Sequence, residues 1–487
     1  MKRKYSLIII SLICLSFQQL FGQIKIEQSQ VDKVSEIIDS YESLDLFNGN
    51  ILVAKGDRIL LQRAIGKANF EHNILNKIKT KFRLASLTKQ FTAAAIVILE
   101  QQGKLKLNNT VSTYLKVEND GLFEKIKVHQ LLSHSAGLQR DIEGLSSKIK
   151  GKNFVSLNEL VQIISKSELI FKPGDKFSYS NLGFNLAAAI IESVTGKPYG
   201  EALNALIFEP LKMHDTAHEI NTRIVSNKAN GYAGLPDGIV KADYEEKSYV
   251  IGAGSIYSTI TDLYKWSRVL LNGSFISKSN VEKMFSKQSG DYGYGWFIDN
   301  YKWKTSDGEK KGKNINHDGG SPGFESKLSL LVEHDITIIV LSNKLPSNLY
   351  VLSNQITNTI LGFEKPNIRP KQDQLFYSTM FTKGINAAKL LIQNWKETDQ
   401  RDLIPGRFDI LLVGRGYIDS NNFEKAKQLF DYLISAEPKW VYPVVFKGIL
   451  MENFNRIEEA LELYNNALKI DPNEAYAKNR IKELLKD

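Results

Sequence analysis

The chain contains a single cysteine among its 487 residues, so no disulfide can form within it. This excludes the small disulfide-stapled scaffolds. A strong excess of one charge is also lacking, because 63 basic and 54 acidic residues give a formal charge of +9 without any run of five or six like charges. Charge scattered in this way gives little support to a nucleic-acid or membrane partner.

Apolar residues, in contrast, are abundant at 43%, and charged residues make up 24%. A chain of this composition can bury a sizeable core, which excludes a disordered protein or a collagen. Its length exceeds the roughly 100 to 200 residues of one ordinary domain. We therefore expect two or three folding units.

The first 22 residues have the pattern of a secretory signal peptide. A basic start at residues 1–4 precedes a run rich in Leu and Ile at residues 5–17, and Gly22 is a small residue at a suitable cleavage point. The run is too short to span about 30 Å of hydrocarbon comfortably, so an uncleaved anchor is the less favoured alternative. Ile13 precedes Cys14 and is too large for a bacterial lipoprotein signal, so no lipidation is predicted.

Cleavage after Gly22 would remove Cys14 together with Lys2, Arg3 and Lys4, lowering the formal charge from +9 to +6. We therefore expect an exported bacterial protein, periplasmic or secreted, with no stable membrane span once the signal is removed.

The C-terminal part repeats itself at an offset of 34 residues, which is the tetratricopeptide period. The first copy carries Gly414, Tyr417, Ala426, Phe430 and Pro438, and the second carries Gly448, Met451, Ala460, Tyr464 and Pro472. Small residues let two helices of a hairpin approach, the aromatic ring fills the gap, and proline stops the second helix. We predict a linker at 364–374 and a helical tail at 375–487, with repeats at 407–440 and 441–474 that are a possible site for a protein partner.

Residues 23–363 mix strand and helix patterns. Strand-like segments flank Gly56-Asp57 near one end and His334-Asp335 near the other, at 51–54, 59–62, 328–332 and 336–341. Helix-like stretches lie between them at 88–102, 182–194 and 261–271. The pattern predicts an α+β fold, with an antiparallel sheet flanked by helices and a helical insertion between its two halves.

Ser86-Leu87-Thr88-Lys89 is the first segment with a chemical signal. At i and i+3 of a helix start, the serine and lysine side chains are neighbours about 5 to 6 Å apart. Burial lowers the pKa of a lysine, and a neutral amine beside a serine hydroxyl is a competent base. The N–H groups at the helix N-terminus favour an oxyanion. The alternative is a helix-capping serine with a surface lysine.

Tyr179-Ser180-Asn181 lies between a turn-forming segment and an apolar helix, where side chains project into a cleft. A tyrosine phenol near a lysine ammonium can have its pKa lowered, accept the serine proton and pass it to a leaving group. Asn181 offers an amide to hold a substrate carbonyl and the lysine. The alternative is a turn with an aromatic plug.

His317-Asp318-Gly319-Gly320 precedes the second predicted strand pair. Glycines avoid clashes where a substrate backbone approaches a strand edge, and the Gly320 N–H can stabilise an oxyanion. His317 is placed to orient a substrate carboxylate or the tyrosine proton. The alternative is an ordinary polar turn.

Together these three motifs resemble the serine β-lactamase-like family, which contains class C β-lactamases, penicillin-binding carboxypeptidases, D-aminopeptidases and esterases. The resemblance covers residues 30–362. Supporting segments lie at 82–85, 131–138, 210–216, 253–259 and 294–296.

This resemblance implies that Ser86 is the acylated nucleophile, Lys89 its base, and Tyr179 the group that shuttles the proton and activates water. It implies an oxyanion hole formed by the N–H groups of Ser86 and Gly320, and neither a metal nor a cofactor. The implied substrate-binding residues are Asn181, His317 and Gly319.

Two departures from the family pattern bear on the substrate. Many β-lactamases have Lys-Thr-Gly where this chain has His317-Asp318-Gly319, which weakens the case for binding a β-lactam carboxylate. Histidine there is similar to the esterase and peptidase branches. Asp318 is expected to add a negative charge that disfavours anionic substrates.

The other histidine residues and several aromatic residues give weaker indications of function. His214 and His218 have the spacing of two zinc ligands on a helix, as in H-E-x-x-H, although Glu is absent. Packing is the favoured role of His129 and His134. The core or the cleft wall is the favoured position of Tyr292, Tyr294 and Trp296.

Two functions therefore remain from the sequence. The favoured one is an exported serine hydrolase that cleaves an amide or ester, such as a D-amino-acid peptide, a β-lactam or a small ester, through a Ser86 acyl-enzyme. The alternative is an interaction protein in which the repeats bind a partner and the other domain is a non-catalytic ligand-binding fold.

Overall fold

The computed structural model describes residues 26–117, 121–141, 154–305, 308–347, 349–366, 368, 373–398, 400 and 404–485. The predicted signal peptide lies outside the described residues, as does part of the predicted linker. The strands are β1 Gly49–Lys55, β2 Arg58–Ile65, β3 Lys67–Asn69, β4 Ile74–Leu75, β5 Phe82–Arg83, β6 Ala217–His218, β7 Tyr232–Leu235, β8 Gly238–Lys241, β9 Ile256–Ser258, β10 Phe297–Thr305, β11 Gly308–Ser321, β12 Phe324–Leu331, β13 Ile336–Ser342 and β14 Lys344–Leu345.

The helices fall into two groups along the chain. Those before residue 361 are α1 Gln28–Ser43, α2 Thr88–Gln101, α3 Val128–Leu132, α4 Leu157–Ser165, α5 Asn181–Thr195, α6 Tyr199–Leu203, α7 Ile251–Gly254, α8 Ile260–Asn272, α9 Lys278–Met284 and α10 Leu349–Ile360. Those of the tail are α11 Asp373–Lys383, α12 Ile385–Glu397, α13 Arg407–Asp419, α14 Phe423–Ala436, α15 Val441–Asn453, α16 Ile457–Ile470 and α17 Ala475–Leu484.

A six-stranded antiparallel sheet organises the first group, in the order β10-β11-β12-β13-β1-β2. Both predicted strand pairs are present, as β1 with β2 and β12 with β13. The two halves meet where β1 pairs with β13, so that Ile51 lies opposite Val340. The predicted α+β fold is thereby confirmed.

Alternate residues of this sheet face two separate apolar layers, as expected for a pleated strand. One face packs against α8, shares its apolar core with α2 and α5, and includes Leu52, Leu328, Leu330, Ile339 and Leu341. The other packs with α1 and α10 and includes Ile51, Val53, Leu331, Ile338 and Val340. Because α2 is buried from Thr88 to Leu99, the helix that follows Ser86 is central to the domain.

The three predicted helices correspond to α2, α5 and α8, each with ends within one or two residues of the prediction. Each is followed by a glycine with a positive φ, at Gly103, Gly196 and Gly273. Glycine adopts this left-handed conformation without steric cost, so it stops a helix without strain.

The tail has its own apolar core, and its helices form hairpins. A Cβ on Gly414 would lie 2.6 Å from the Phe430 ring, and a Cβ on Gly448 would lie 2.5 Å from the Tyr464 ring. The same glycine–aromatic contact therefore recurs at the 34-residue offset. The all-helical tail is confirmed, while its tetratricopeptide identity stays a prediction.

Candidate active site

Ser86 lies in a single 3₁₀ turn, Ala85–Leu87, directly before α2. Ala85 has φ +47°, a left-handed conformation that costs an alanine about 1 kcal/mol. Both flanking residues are buried, whereas Ser86 is only partly buried. The turn therefore presents the Ser86 hydroxyl at the surface of a cleft.

Lys89 is fully buried, and its amine lies beside the Ser86 hydroxyl. Its Nζ is 3.1 Å from Ser86 Oγ and 2.9 Å from the main-chain oxygen of Ala253. Burial lowers the pKa of Lys89 well below 10.5, an effect that nearby Arg140 strengthens and Asp141 opposes. The geometry places a buried amine, whose neutral form burial favours, within hydrogen-bond distance of the hydroxyl, as the sequence predicts.

Tyr179 completes the group around the serine, because its side chain is close enough to Ser86 for the serine to act on its pKa. Lys89 Nζ lies 4.7 Å from the centroid of the Tyr179 ring. Burial raises the pKa of Tyr179, outweighing the lowering effect of the Ser86 side chain. The expected lowering of this pKa by a lysine ammonium is therefore wrong, since burial acts on both groups and favours a neutral phenol beside a neutral amine.

Ser180 and Asn181 fasten the start of α5 to a neighbouring segment. Ser180 Oγ caps α5 by accepting from the Gly183 N–H, and it donates to the main-chain oxygen of Gln139 at 2.6 Å. The Asn181 amide donates to Asp141 Oδ1 at 2.5 Å. The hydrogen bonds of Lys89 go to Ser86 and Ala253, so the expected bond between Asn181 and Lys89 is not formed.

His317 lies on the β11 face that points toward the site, but both of its ring nitrogens are engaged. Nδ1 lies 2.6 Å from the main-chain oxygen of Asp318, and Nε2 lies 2.8 Å from the Tyr292 hydroxyl. Because a carbonyl oxygen only accepts, Nδ1 carries the proton and Nε2 accepts from Tyr292. Burial lowers the pKa of His317 to about 4, so the imidazole is neutral at physiological pH.

Asp318 is on the opposite face of the strand. Its register partner on β12 is Lys327. Asp318 is exposed, whereas the adjacent His317 and Gly319 are buried, as alternation along a strand requires. The expected negative charge is thus near the site without projecting into it.

Gly319 touches the serine turn. A Cβ on Gly319 would lie 2.2 Å from the Leu84 oxygen and 2.8 Å from the Ser86 nitrogen, so any side chain there would cover the Ser86 N–H. Pairing of β11 with β10 ends at Asn316, and residues 317–321 pair with β12 alone. Within the described residues, the strand segment that contains Gly320 is therefore paired with β12 on one side and with no strand on the other. A Cβ added to Gly320 would have no atom within 4 Å.

Two further residues, His134 and Arg140, lie at this site, although the sequence did not predict them there. The His134 ring lies 4.2 Å from the Tyr179 ring, and its Nδ1 accepts from the Ser180 N–H. The Arg140 guanidinium lies 5.0 Å from the centroid of the same tyrosine and is mostly exposed. The matching segment at 131–138 was the available signal for His134, whereas Arg140 follows that segment in a loop whose path the sequence does not define.

His214 and His218, which have the spacing of a helical zinc motif, do not lie on one face of a helix. His214 lies in a turn near Glu209, and His218 lies on β6 with its Nδ1 2.7 Å from Ser255 Oγ. Across the described part of the chain, no three His, Cys, Asp or Glu side chains are grouped to hold a metal ion. The helical zinc interpretation is therefore wrong.

Comparison with known proteins identifies the family of this chain. The family model described as Beta-lactamase matches residues 41–356. The chain is 30% identical over 324 residues to penicillin-binding protein 4* of Bacillus subtilis (strain 168), which covers 61% of this chain and 68% of that protein.

Two solved structures show the same fold at lower identity. FmtA from Staphylococcus aureus matches with a TM-score of 0.57 and 24% identity, over 72% of this chain and 94% of that one. D-amino acid amidase from Ochrobactrum anthropi SV3 matches with a TM-score of 0.55 and 22% identity, over 67% and 97%. Since the family model spans more than half of the chain, the protein belongs to the serine beta-lactamase-like family.

Proposed function

We propose that this protein is an exported serine hydrolase that cleaves an amide or ester through an acyl-enzyme on Ser86. The observation that supports it most directly is that the Ser86 hydroxyl lies 3.1 Å from the buried amine of Lys89, with the Tyr179 side chain close beside the pair. A nucleophile with a base and a proton donor beside it is the requirement for acyl transfer.

Acylation begins with proton transfer from Ser86 to Lys89. A lysine of ordinary pKa would be charged at neutral pH and unable to accept it, but burial of Lys89 removes that obstacle. The attacking oxygen forms a bond to the substrate carbonyl, and the carbonyl oxygen becomes an oxyanion. The N–H groups of Ser86 and Gly320 stabilise that oxyanion, and the missing side chain at Gly319 keeps the first of them accessible.

Tyr179 serves as the proton donor to the leaving group. Its raised pKa keeps the phenol protonated at neutral pH, and the proton that Ser86 gave to Lys89 restores it. In deacylation, water attacks the carbonyl of the acyl-enzyme while its proton passes through the Tyr179 phenol to neutral Lys89. The bond between the acyl group and Ser86 Oγ then breaks, the acid leaves, and Lys89 returns the proton to Ser86 Oγ.

Asn181 and His317 have different roles in substrate binding. Asn181 Oδ1 is buried and has no hydrogen-bond partner among the described residues, which leaves an acceptor for a substrate N–H. His317 has both nitrogens occupied, so it positions Tyr292 and the strand rather than binding a carboxylate. Gly319 contributes space for the reacting group.

The proposed substrate class depends on the charge of the residue at position 317. A neutral His317 stands where many β-lactamases place a lysine, and it offers no charge to a carboxylate. We propose that the preferred substrates are esters or amides whose leaving group carries no carboxylate, in preference to β-lactams or peptides ending in a free D-alanine. The D-amino acid amidase named above has the same fold, and by its name it acts on amides of single amino acids.

Export is proposed from the N-terminal pattern of a basic start, an apolar run and Gly22. Over the described residues, the structure contains no helix whose length and apolarity would suffice to cross a membrane. Determining the N-terminal residue of protein isolated from the cell envelope or medium tests the cleavage site after Gly22.

Labelling with a fluorophosphonate and with a fluorescent penicillin tests the hydrolase proposal. We expect a covalent adduct with the wild-type protein, faster with the phosphonate, and none with Ser86→Ala. Ser40→Ala is the matched control, because its hydroxyl is on the exposed surface of α1. Absence of a Ser86-dependent adduct, together with no hydrolysis of p-nitrophenyl esters or D-amino-acid amides, would favour the ligand-binding alternative.

A further inference from the structure

The tail contacts the catalytic domain through the first of its two 34-residue repeats. Helix α13 lies against β7, and Gly416 is so close that a Cβ there would be 2.7 Å from Leu235 Cδ2 and 3.5 Å from Ala233 Cβ. The Leu235 side chain packs against the tail core. The strand and the helix are therefore in direct apolar contact.

Polar contacts surround this apolar contact. Tyr417 donates to Asp237 Oδ1 at 2.7 Å, and Arg415 Nη2 donates to Asp243 Oδ2 at 2.7 Å. Lys425 also forms an ion pair with Asp237. Burial alone would raise the pKa of Asp237, but these bonds from Lys425 and Tyr417 lower it, as expected for a carboxylate held in its charged form.

The two repeats differ at the residues that make these contacts. Gly414 and Gly448 are shared because each faces an aromatic ring of its own hairpin. The contact residues are not shared: Arg415, Gly416 and Lys425 of the first repeat correspond to Ile449, Leu450 and Glu459 of the second. The hairpin packing of a repeat does not require a glycine at position 416, whereas the approach of Leu235 does.

The opposite end of β7 contacts the strand pair that carries the active-site glycines. A Cβ on Gly323 would lie 2.5 Å from Gly231 Cα and 2.5 Å from the Tyr232 nitrogen, so the two backbones touch. Gly323 is in the turn between β11 and β12, three residues after Gly320. The start of β7 is therefore in direct backbone contact with this turn.

The tail also acts on the β12 partner of Gly320. Glu325 lies opposite Gly320, and the Ser347 hydroxyl donates to its carboxylate. Burial raises the pKa of Glu325, and the negative charge of Asp409 on α13 adds to that effect. The first helix of the first repeat is therefore close enough to influence the charge beside the glycine strand.

We propose that the first repeat positions the active site, by bracing the β7–β8 hairpin against the β11–β12 turn so that Gly319 and Gly320 keep their distance from Ser86. Arg415, Gly416 and Tyr417 are then positioning residues for the hydrolase reaction, which rests on the proposed function above. Small displacements of oxyanion donors reduce acyl-transfer rates strongly while changing substrate binding less.

Gly416→Leu tests this proposal in the full-length protein. It introduces the residue that the second repeat has at this position, and leucine favours a helix more than glycine does, so the tail remains folded. The new side chain collides with Leu235. We expect kcat for a neutral p-nitrophenyl ester to fall by about tenfold or more with KM within about twofold, and amide hydrogen exchange at 319–324 and 232–241 to accelerate.

Two further variants complete the experiment. Arg415→Gln combined with Tyr417→Phe removes two of the polar contacts without adding volume, while the Lys425–Asp237 ion pair remains, and it should shift kcat and exchange in the same direction. Lys447→Gln is the control, since it removes an ion pair to Asp431 within the tail and should change neither quantity. Faster exchange in the hairpin with kcat unchanged would overturn the proposal, as would unchanged exchange at 319–324. Lack of a Ser86 adduct in the wild type would instead refute the hydrolase function, and the exchange measurement would still report the contact.

Discussion

The amine of Lys89 donates a hydrogen bond to the main-chain oxygen of Ala253 and lies 3.1 Å from the hydroxyl of Ser86. With one N–H engaged by Ala253, a neutral amine still has its lone pair available for the serine proton. The contact with Ala253 therefore holds the base in place beside the serine.

The pH dependence of acylation should reflect this amine. Acylation requires neutral Lys89, so its rate should rise with pH through the lowered pKa of Lys89 and reach a plateau well below pH 10.5. The raised pKa of Tyr179 keeps the phenol protonated, so no descending limb should follow at moderately alkaline pH. Stopped-flow measurement of fluorophosphonate labelling from pH 5 to 10 checks both limbs; a midpoint near 10.5 would contradict a buried neutral amine.

Lys89→Met should change two quantities, the pH dependence of the free energy of unfolding and the acylation rate. Because the lysine pKa is lower in the folded than in the unfolded state, the folded state binds fewer protons, and wild-type stability should rise with pH between that lowered pKa and 10.5. The methionine variant should lose this pH-dependent gain and at least about 10³-fold in acylation rate. Urea unfolding at several pH values measures the first quantity, and an identical pH dependence in both proteins would contradict it.

Tyr179→Phe should lower kcat by about 10² to 10³-fold, since the leaving group loses its proton donor while the ring and its contact with His134 remain. Circular dichroism and the thermal midpoint should stay close to wild type. Tyr294→Phe is the control, because this tyrosine is buried in the core. Turnover equal to wild type in Tyr179→Phe would remove the phenol from the mechanism.

Gly319→Ala should reduce acylation by about 10²-fold, because the new methyl group overlaps Leu84 and the Ser86 N–H. Gly320→Ala is the matched variant on the same strand, where nothing lies within 4 Å of the added Cβ, and its loss should be at least tenfold smaller. Labelling rates of the two proteins compare them directly. Equal losses would show that the close approach of Gly319 to Ser86 has no catalytic consequence.

His317→Lys should shift selectivity toward substrates with a carboxylate. A cation replacing the neutral imidazole should raise the ratio of kcat/KM for a β-lactam to that for a neutral ester by about tenfold, which corresponds to about 1.4 kcal/mol of added electrostatic attraction. His317→Gln, which adds no charge, is the control and should leave the ratio near wild type. A ratio unchanged by the lysine would mean that position 317 does not meet the leaving group.

Local patterns were sufficient to predict the strand pairs, the bounds of three helices, and the pairing of Ser86 with Lys89. Each of these depends on residues near one another in the chain or on a motif of fixed spacing. The position of Tyr179 beside that pair was predicted only by the family resemblance, because Tyr179 is distant from Ser86 in the chain. The partner of Asn181 and the direction of the Tyr179 pKa shift could not be predicted in this way, because they depend on which charges and how much burial the fold brings to the site.

The contact between tail and hairpin was also beyond the sequence patterns. Asp237 and Tyr417 are 180 residues apart, and neither belongs to a motif that indicates the other. The repeat pattern identified the glycines that face aromatic rings within a hairpin, but it gave Gly416 no role. Only the packing of α13 on β7 explains that residue.

The pairing of β1 with β13 also has a consequence for the order of folding. Ile51 cannot meet Val340 until almost the whole catalytic domain has been synthesised, whereas each tail hairpin closes over a few tens of residues. Closing long loops slows folding, and local contacts form first. The late strand pair joins β1 and β2, which precede Ser86 in the chain, to the strands that carry Gly319 and contact the Ser86 turn, so hydrolytic activity should be among the last properties to return when the chain refolds.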